Sequence, residues 1–345
     1  MKSIVYSEPG SPDVLRLVDR DIPQPGPGEV RVRIAVSGVN PTDWKSRANG
    51  PLEFAEVTPN QDGAGTVDAV GEGVIVLDVG DRVWTYLSAR NRPTGTAQEY
   101  TVLPAERVVK LPDGTSFDIG ASMGVPAMTA HRALTVLEGG PTRLHPGALA
   151  GKVVLVAGGA GAVGHAAIQL ARWAGATVIT TISSEAKAAL ARSAGAHHIV
   201  DYRTEDAAAV IRSIAPNGVD IVVEVSIVHN AALDAAIVGP RAVVSMYADD
   251  GGDTASLAVR PNMITNTRYQ FVLLYTIGDE AMRAAVEVVT AALVDGALPV
   301  GEKDGLPLVR FPLGETGSAH QAVQDGVVGK VLIDVAGASG PVSAR

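Results

Sequence analysis

The feature that most constrains this chain is a glycine-rich loop between a short apolar segment and a helical one. Glycine stands at every third position of the loop, at Gly158, Gly161 and Gly164. The continuous apolar run Val153–Ala157 precedes it, which is typical of a parallel strand buried on both faces. Glycines at this spacing allow a tight turn, a close approach of the backbone to a ligand, and close packing of helix on strand. The order of strand, loop and helix predicts a βαβ unit that binds a dinucleotide.

The pyrophosphate of that dinucleotide should lie against the start of the helix. A helix N-terminus presents N–H groups without intrahelical partners and the positive end of the helix dipole. The residues that we expect to contact it are Gly158, Gly161, Ala162, Val163 and Gly164.

The end of the next strand distinguishes the two common dinucleotides. An NAD site usually places an aspartate or glutamate there, bound to the ribose 2′-hydroxyl. This chain instead has Ser183 and Ser184, followed by Lys187, and Tyr202 comes after the third strand. Hydroxyl groups and a lysine suit a 2′-phosphate. The sequence therefore predicts NADPH as the cofactor, with these four residues among its contacts.

The chain divides into two parts with different patterns. Residues 30–36 alternate apolar and polar side chains, as a half-buried strand does, and Pro/Gly turns separate further strands. After about residue 125, strands alternate with helical segments, which indicates a doubly wound parallel sheet. The strand-like end at 329–335 is expected to return to the first part. We expect an α/β protein with a β-rich domain of residues 1–124 and 279–345 and a nucleotide-binding domain of residues 125–278.

Composition excludes several classes of function. The net charge of −9 argues against binding to the phosphates of a nucleic acid. The chain has no cysteine, which excludes disulfides, thiolate nucleophiles and cysteine-ligated metals. It has neither the apolar run of a signal peptide nor the roughly 20 apolar residues of a membrane span. We expect a cytoplasmic enzyme without nucleic-acid or membrane partners.

Further motifs occur together in the order and spacing of one family. They are Gly38-Val39-Asn40-Pro41-Thr42-Asp43-Trp44-Lys45, Asp62-Gly63-Ala64-Gly65, Gly80-Asp81-Arg82-Val83, the glycine loop, Gly195-Ala196 before Asp201-Tyr202, and Gly329-Lys330-Val331. With them the chain resembles, over essentially its whole length, the quinone oxidoreductase or ζ-crystallin branch of the medium-chain dehydrogenases/reductases. The resemblance implies a GroES-like domain, a Rossmann domain and an active cleft between them.

The resemblance also implies roles for individual residues. Ser184, Lys187 and Tyr202 match positions that contact the 2′-phosphate, and Asn40 and Thr129 match positions near the nicotinamide and its ribose-phosphate. Zinc alcohol dehydrogenases of the family have cysteine, histidine and glutamate ligands, where this chain has Asn40, Gln61 and Asp62. We therefore expect a zinc-independent enzyme with no metal site.

The expected reaction is hydride transfer from NADPH to a quinone or a similar activated enone. Such acceptors delocalise the incoming charge onto an oxygen, so the protein supplies positioning and hydrogen bonds. Candidate donors are Trp44, Lys45, Arg47 and His131, and we assign catalytic roles to Asn40, Lys45 and His131. Alternatives remain for each of these three: Asn40 could only cap the turn into Pro41, Lys45 could pair structurally with Asp43, and His131 could lie on a helix surface or be a satisfied buried histidine.

Two alternative functions remain open, and the sequence also predicts a quaternary structure. The first is an enoyl-thioester reductase or another alkene or carbonyl reductase. The second is a non-catalytic NADPH-binding protein of the ζ-crystallin type. The apolar segment Tyr269–Tyr275 is predicted to be the sixth strand, at the sheet edge, where pairing with a second copy would cover it. We expect a homodimer.

Overall fold

The computed structural model describes residues 1–335. The last residues, 337–345, which include Gly, Ser and Pro and are expected from that composition to be loose, lie outside the described residues. Within the described residues two compact units can be distinguished, one formed by Met1–Val125 with residues 308–335, the other by Pro126–Pro307. None of the helices between residues 1 and 335 combines the length and apolar composition that crossing a lipid bilayer requires.

The strands and helices follow one another along the chain. The strands are β1 (Lys2–Val5), β2 (Arg16–Asp19), β3 (Glu29–Val39), β4 (Asp62–Val70), β5 (Arg82–Thr85), β6 (Tyr100–Pro104), β7 (Val108–Lys110), β8 (Val153–Ala157), β9 (Thr177–Ile182), β10 (His198–Asp201), β11 (Val219–Glu224), β12 (Val238–Met246), β13 (Arg268–Phe271), β14 (Leu308–Pro312) and β15 (Lys330–Asp334). The helices are α1 (Pro41–Asn49), α2 (Phe117–Leu134), α3 (Ala162–Trp173), α4 (Glu185–Ala194), α5 (Ala207–Ile214), α6 (Ile227–Ile237), α7 (Val259–Thr265), α8 (Asp279–Val294) and α9 (Thr316–Gln324).

The first unit is built on a sheet whose central strand is β3. The strand order is β14-β15-β3-β4-β5-β7, and β6 also pairs with β3. Val30, Val32 and Ile34 alternate along β3 and are buried in the core, as the period of two predicts. The return of the chain end is confirmed, because β15 pairs with β3 in the antiparallel direction.

The second unit is a Rossmann sheet. Its six strands run parallel in the order β10-β9-β8-β11-β12-β13. Leu155, Val222 and Val244, on three of the four inner strands, are buried, as expected for strands covered by helices on both faces. The predicted α/β fold, with a doubly wound sheet and a GroES-like β-rich unit, is confirmed.

The last strand of this sheet is shorter than predicted. The sequence predicts a strand that continues to Tyr275, whereas β13 ends at Phe271. Val272 N–H still donates to the carbonyl of Met246, at 2.7 Å. Met246 is the last residue of the neighbouring strand β12. The chain beyond Val272 therefore has no strand to pair with and forms a 3₁₀ turn at Leu274–Thr276.

Residues 279–307 group with the second unit, whereas the division expected from the sequence placed them in the first domain. Side chains of α3 hold this segment. Gln169 Nε2 donates to the carbonyl of Pro299 at 3.0 Å, and His165 Nε2 lies 2.8 Å from the carbonyl oxygen of Asp304. Hydrophobic periodicity does not reveal polar contacts of this kind. The sequence therefore could not show that residues 279–307 group with the second unit.

Two buried carboxyl groups lie beside β11 in the second unit. Glu224 ends this strand, and its Oε1 accepts hydrogen bonds from Ser226 N–H and from Asn230 Nδ2, the latter at 2.9 Å. Asp234 lies on α6, and neither of its oxygens has a partner within residues 1–335. Burial, together with the charge of Glu224, raises the pKa of Asp234 to about 8.

This carboxyl group should make stability depend on pH. Because its folded pKa lies above the unfolded value, Asp234 binds a proton more tightly in the folded state, so stability falls as pH rises from about 4 to about 8. The slope from one such group is at most about 1.4 kcal/mol per pH unit. Urea unfolding at several pH values should show a shallower loss in Asp234→Asn than in wild type. Asp253→Asn, at an exposed loop carboxylate, is the control, and an unchanged slope in Asp234→Asn would contradict this assignment.

Candidate active site

The glycine loop of the second unit has the geometry that its sequence predicts. Gly158 has φ +68°, in the left-handed region that favours glycine. A Cβ at Gly159 would lie 2.2 Å from Thr180 Oγ1, and one at Gly164 would lie 2.4 Å from the carbonyl of Gly158. Side chains are therefore excluded on the sheet side of the loop.

The opposite side of the loop is open. Gly161 is exposed, and Ala162 and Val163, at the start of α3, are half-exposed. A Cβ at Gly161 would meet a single atom, at 3.5 Å. The first turn of α3 thus presents its backbone to a ligand, and N–H groups in that position bind phosphates. The loop fits the pyrophosphate of a dinucleotide.

Three predicted phosphate contacts lie together at the end of β9. Lys187 Nζ donates to Ser183 Oγ at 3.3 Å. Ser184 caps α4 by accepting from Lys187 N–H at 3.4 Å, which leaves its own hydroxyl hydrogen for another acceptor. The neighbouring acid, Glu185, is exposed and pairs with Arg192 at 3.6 Å. A lysine and two hydroxyls therefore share this strand end.

Tyr202 lies beside the same strand end. Its N–H donates to the carbonyl of Ile182, the last residue of β9, at 3.2 Å. Its side chain is 52% exposed. A phenol in this position can reach a ligand at the end of β9 without first breaking a buried contact.

The predicted residues of α2 are buried. Thr129 is 5% exposed and His131 is 1% exposed. Neither ring nitrogen of His131 has a hydrogen-bond partner within residues 1–335. Burial, with smaller effects from Arg132 and Arg143, lowers the pKa of His131 to about 4. His131 is therefore neither a surface histidine nor a satisfied one, and at neutral pH it has one N–H donor and one acceptor nitrogen.

In the first unit, Asp43 fixes the backbone on both sides of the predicted site. Its Oδ2 accepts from Asn40 N–H at 2.7 Å, which caps the start of α1, and its Oδ1 accepts from Gln61 N–H at 3.1 Å. Burial, together with the charge of Asp62, raises the pKa of Asp43 to about 7. One carboxyl group thus ties the Asn40 turn to the start of β4.

The side chain of Asn40 is part of a buried polar cluster. Asn40 Nδ2 donates to Asp62 Oδ2 at 2.7 Å, and Lys330 Nζ donates to Asn40 Oδ1 at 2.7 Å. Asp62 and Lys330 are 0% and 1% exposed. In the sequence, Lys330 is visible only as part of the motif Gly329-Lys330-Val331. The sequence signal for its role is a lysine that opens an apolar strand, since lysine is rarely fully buried unless paired.

The positions of the family's zinc ligands do not fit a zinc ion. Asn40 and Gln61 provide amides, and Gln61 Oε1 already accepts from Ala89 N–H at 3.1 Å. Lys330 Nζ lies 3.8 Å from the remaining carboxylate, that of Asp62. Zinc sites use thiolate, imidazole and carboxylate ligands, and this cluster already holds a positive charge. Within residues 1–335, histidine, aspartate and glutamate form no group of three that could hold a metal.

Arg47 is not available as a hydrogen-bond donor for an acceptor molecule. It is 0% exposed, its Nη1 donates to the carbonyl of Gly10 at 2.6 Å, and its Nη2 donates to Gln324 Oε1 at 3.1 Å. These contacts hold α1 against the end of α9. Trp44 and Lys45 are half-buried on α1.

Comparison with known proteins agrees with both units. The family described as Alcohol dehydrogenase GroES-like domain matches residues 26–113, and the family described as Zinc-binding dehydrogenase matches residues 162–291. A mycobacterial protein solved in complex with NADPH is 28% identical and has a TM-score of 0.79, covering 96% of this chain and 99% of that one.

Curated relatives extend over different lengths of the chain. A trans-enoyl reductase of Gibberella fujikuroi is 39% identical over 159 residues, which cover 46% of this chain and 46% of that protein. A quinone oxidoreductase of Lama guanicoe is 30% identical over 340 residues, which cover 96% of this chain and 97% of that protein. With a match of this length, the chain belongs to the quinone oxidoreductase branch of the medium-chain dehydrogenase/reductase family.

Proposed function

We propose that the chain is a zinc-independent NADPH-dependent oxidoreductase that reduces a quinone or a similar activated enone. The observation that carries this proposal is the end of β9, where Lys187, Ser183 and Ser184 lie together without an acidic partner from residues 1–335. A carboxylate would repel a 2′-phosphate, whereas an ammonium and hydroxyls bind one. The relatives named quinone oxidoreductase and the mycobacterial NADPH complex support the same conclusion.

The chain's own contribution to the reaction is binding and orientation. The bound cofactor supplies a hydride from its reduced nicotinamide. We assign to Asn40, Lys45 and His131 the hydrogen bonds that hold the acceptor oxygen, and to Thr129 a contact with the ribose-phosphate. His131 is neutral at pH 7, because burial lowers its pKa to about 4. It therefore acts in this proposal as a hydrogen-bond donor and not as an acid that gives up the charge of an imidazolium.

A second candidate function is the reduction of an enoyl thioester. The observation that favours it is the 39% identity with the trans-enoyl reductase, which is higher than the identity with the quinone oxidoreductase but covers 46% of this chain. NADPH oxidation against quinones, enones and enoyl thioesters separates the two. Tight NADPH binding with no turnover on any of them would favour the non-catalytic alternative.

The cofactor proposal predicts a selective effect of Lys187→Ala. Its charge-assisted contacts with a phosphate contribute about 1.5–3 kcal/mol, so the Kd for NADPH should rise roughly 10- to 100-fold. The Kd for NADH should change little, because NADH has no 2′-phosphate. Titration followed by nicotinamide fluorescence measures both values. Lys303→Ala, at an exposed lysine of the same unit, is the control. Equal affinity of the wild type for NADH and NADPH would refute the proposal.

We also propose a homodimer formed through β13. This strand is an edge of the Rossmann sheet, and Phe271 and Leu273 beside the edge are 76% and 58% exposed. An exposed apolar edge is a template for pairing with another strand, and pairing across a two-fold axis would cover the edges of both copies at once.

Sedimentation velocity at micromolar concentration should therefore give a dimer. The variant Phe271→Lys should be more monomeric than the wild type, because pairing of β13 with its copy would bury two lysines. Ile75→Lys, at an apolar side chain that is 92% exposed in the first unit, is the matched control and should leave the dimer intact. A monomeric wild type would show that this edge is covered in another way.

A further inference from the structure

The ammonium of Lys330 is surrounded by oxygen atoms. Its Nζ lies 2.7 Å from Asn40 Oδ1, 3.2 Å from the carbonyl of Val39, and 3.8 Å from Asp62 Oδ2. An ammonium has three hydrogens and no acceptor, and here it faces three oxygens. Burial lowers the pKa of Lys330, while the charges of Asp62 and Asp43 oppose that effect. The arrangement is that of a buried cation with oxygen ligands.

The surrounding backbone is shaped to hold this cluster. A Cβ at Gly38 would lie 3.2 Å from Lys330 Cε and 2.1 Å from the carbonyl of Ala121. A Cβ at Gly124 would lie 2.1 Å from Asp62 Oδ1. Glycine at both positions leaves room for the lysine and the carboxylate.

Asp62 is held from a second side as well. Val125 N–H, on α2, lies 2.9 and 3.0 Å from its two oxygens. Burial raises the pKa of Asp62, and Lys330 is the largest influence that opposes the rise. Loss of the ammonium would therefore leave a buried carboxylate that takes up a proton.

The two charged neighbours dictate the orientation of the Asn40 amide. An ammonium only donates and an ionised carboxylate only accepts. Asn40 must therefore point Oδ1 at Lys330 and Nδ2 at Asp62, as the distances of 2.7 Å on both sides show. With a neutral side chain at position 330 and a protonated Asp62, both orientations of the amide would be allowed.

We propose that Lys330 is a positioning residue of the reaction, whose buried ammonium takes the place of a metal cation and orients the Asn40 amide towards the acceptor oxygen. One hydrogen of Asn40 Nδ2 is donated to Asp62, and the other is donated to the carbonyl oxygen of the quinone or enone. This inference rests on the proposed function. It adds a residue that acts through Asn40 and does not itself contact the acceptor.

The test compares Lys330→Met with the double variant Lys330→Met/Asp62→Asn. The single variant leaves a buried carboxylate unpaired, so it should lose stability as well as activity. The double variant removes both charges and should recover most of the melting temperature. If the pair were only structural, activity per folded molecule would recover with it. If Lys330 orients Asn40, kcat/KM should stay about 10- to 100-fold below wild type, while the Kd for NADPH is unchanged.

A second measurement does not depend on turnover. The side-chain NH₂ signals of Asn40 in ¹⁵N-labelled protein can be assigned by their loss in Asn40→Ala. They should form one sharp pair in wild type and shift or double in both Lys330 variants. The matched control is Lys152→Met/Asp220→Asn, which removes a lysine–aspartate pair of 2.9 Å in the second unit and should alter neither kcat/KM nor these signals.

The outcomes separate this inference from the proposed function. A double variant with wild-type kcat/KM per folded molecule, or Asn40 signals that are the same in wild type and both variants, would overturn the role of Lys330. If none of the quinones and enones supported NADPH oxidation by the wild-type protein, the proposed function would be refuted. The NMR comparison would still decide whether Lys330 orients Asn40.

Discussion

The contact between Lys330 and Asn40 joins two parts of the chain that are 290 residues apart in sequence. Lys330 opens β15, and its Nζ also lies 3.2 Å from the carbonyl of Val39 at the end of β3. The same cluster includes Asp62 at the start of β4, which accepts from Val125 N–H on α2. Burying a lysine and a carboxylate is costly unless each is paired and hydrogen-bonded. The strands β15, β3 and β4 and the helix α2 must therefore all be in place before this charge pair is paired and hydrogen-bonded.

Each unit, taken by itself, offers a different kind of contact to a ligand. The second unit offers backbone at the glycine loop and a lysine with hydroxyls at the end of β9, which are interactions suited to phosphate. The first unit offers an amide whose orientation is fixed by charge. Neither arrangement needs a metal, because the cation beside Asn40 is an ammonium supplied by the chain itself. The chemistry that this permits is hydride transfer to an acceptor that stabilises negative charge on its own oxygen.

The sequence predicts those features that depend on residues close to one another along the chain. The Gly158–Gly164 loop and the parallel strands are local patterns, and the Rossmann sheet confirms them. Contacts across the fold leave no such local pattern. Arg47, a candidate donor by its place in the sequence, instead donates hydrogen bonds to Gly10 and Gln324 and has a structural role. The partnership of Lys330 with Asn40 has no signature in spacing, because it depends on β15 pairing with β3.

The proposed replacement of a metal cation beside Asn40 by an ammonium is tested most directly by measuring the metal content and the chelator sensitivity of the active protein. We expect elemental analysis to find no stoichiometric zinc, and the rate of NADPH oxidation to be unchanged after incubation with a strong chelator. A rate that is abolished by chelation and restored by added zinc would contradict the account.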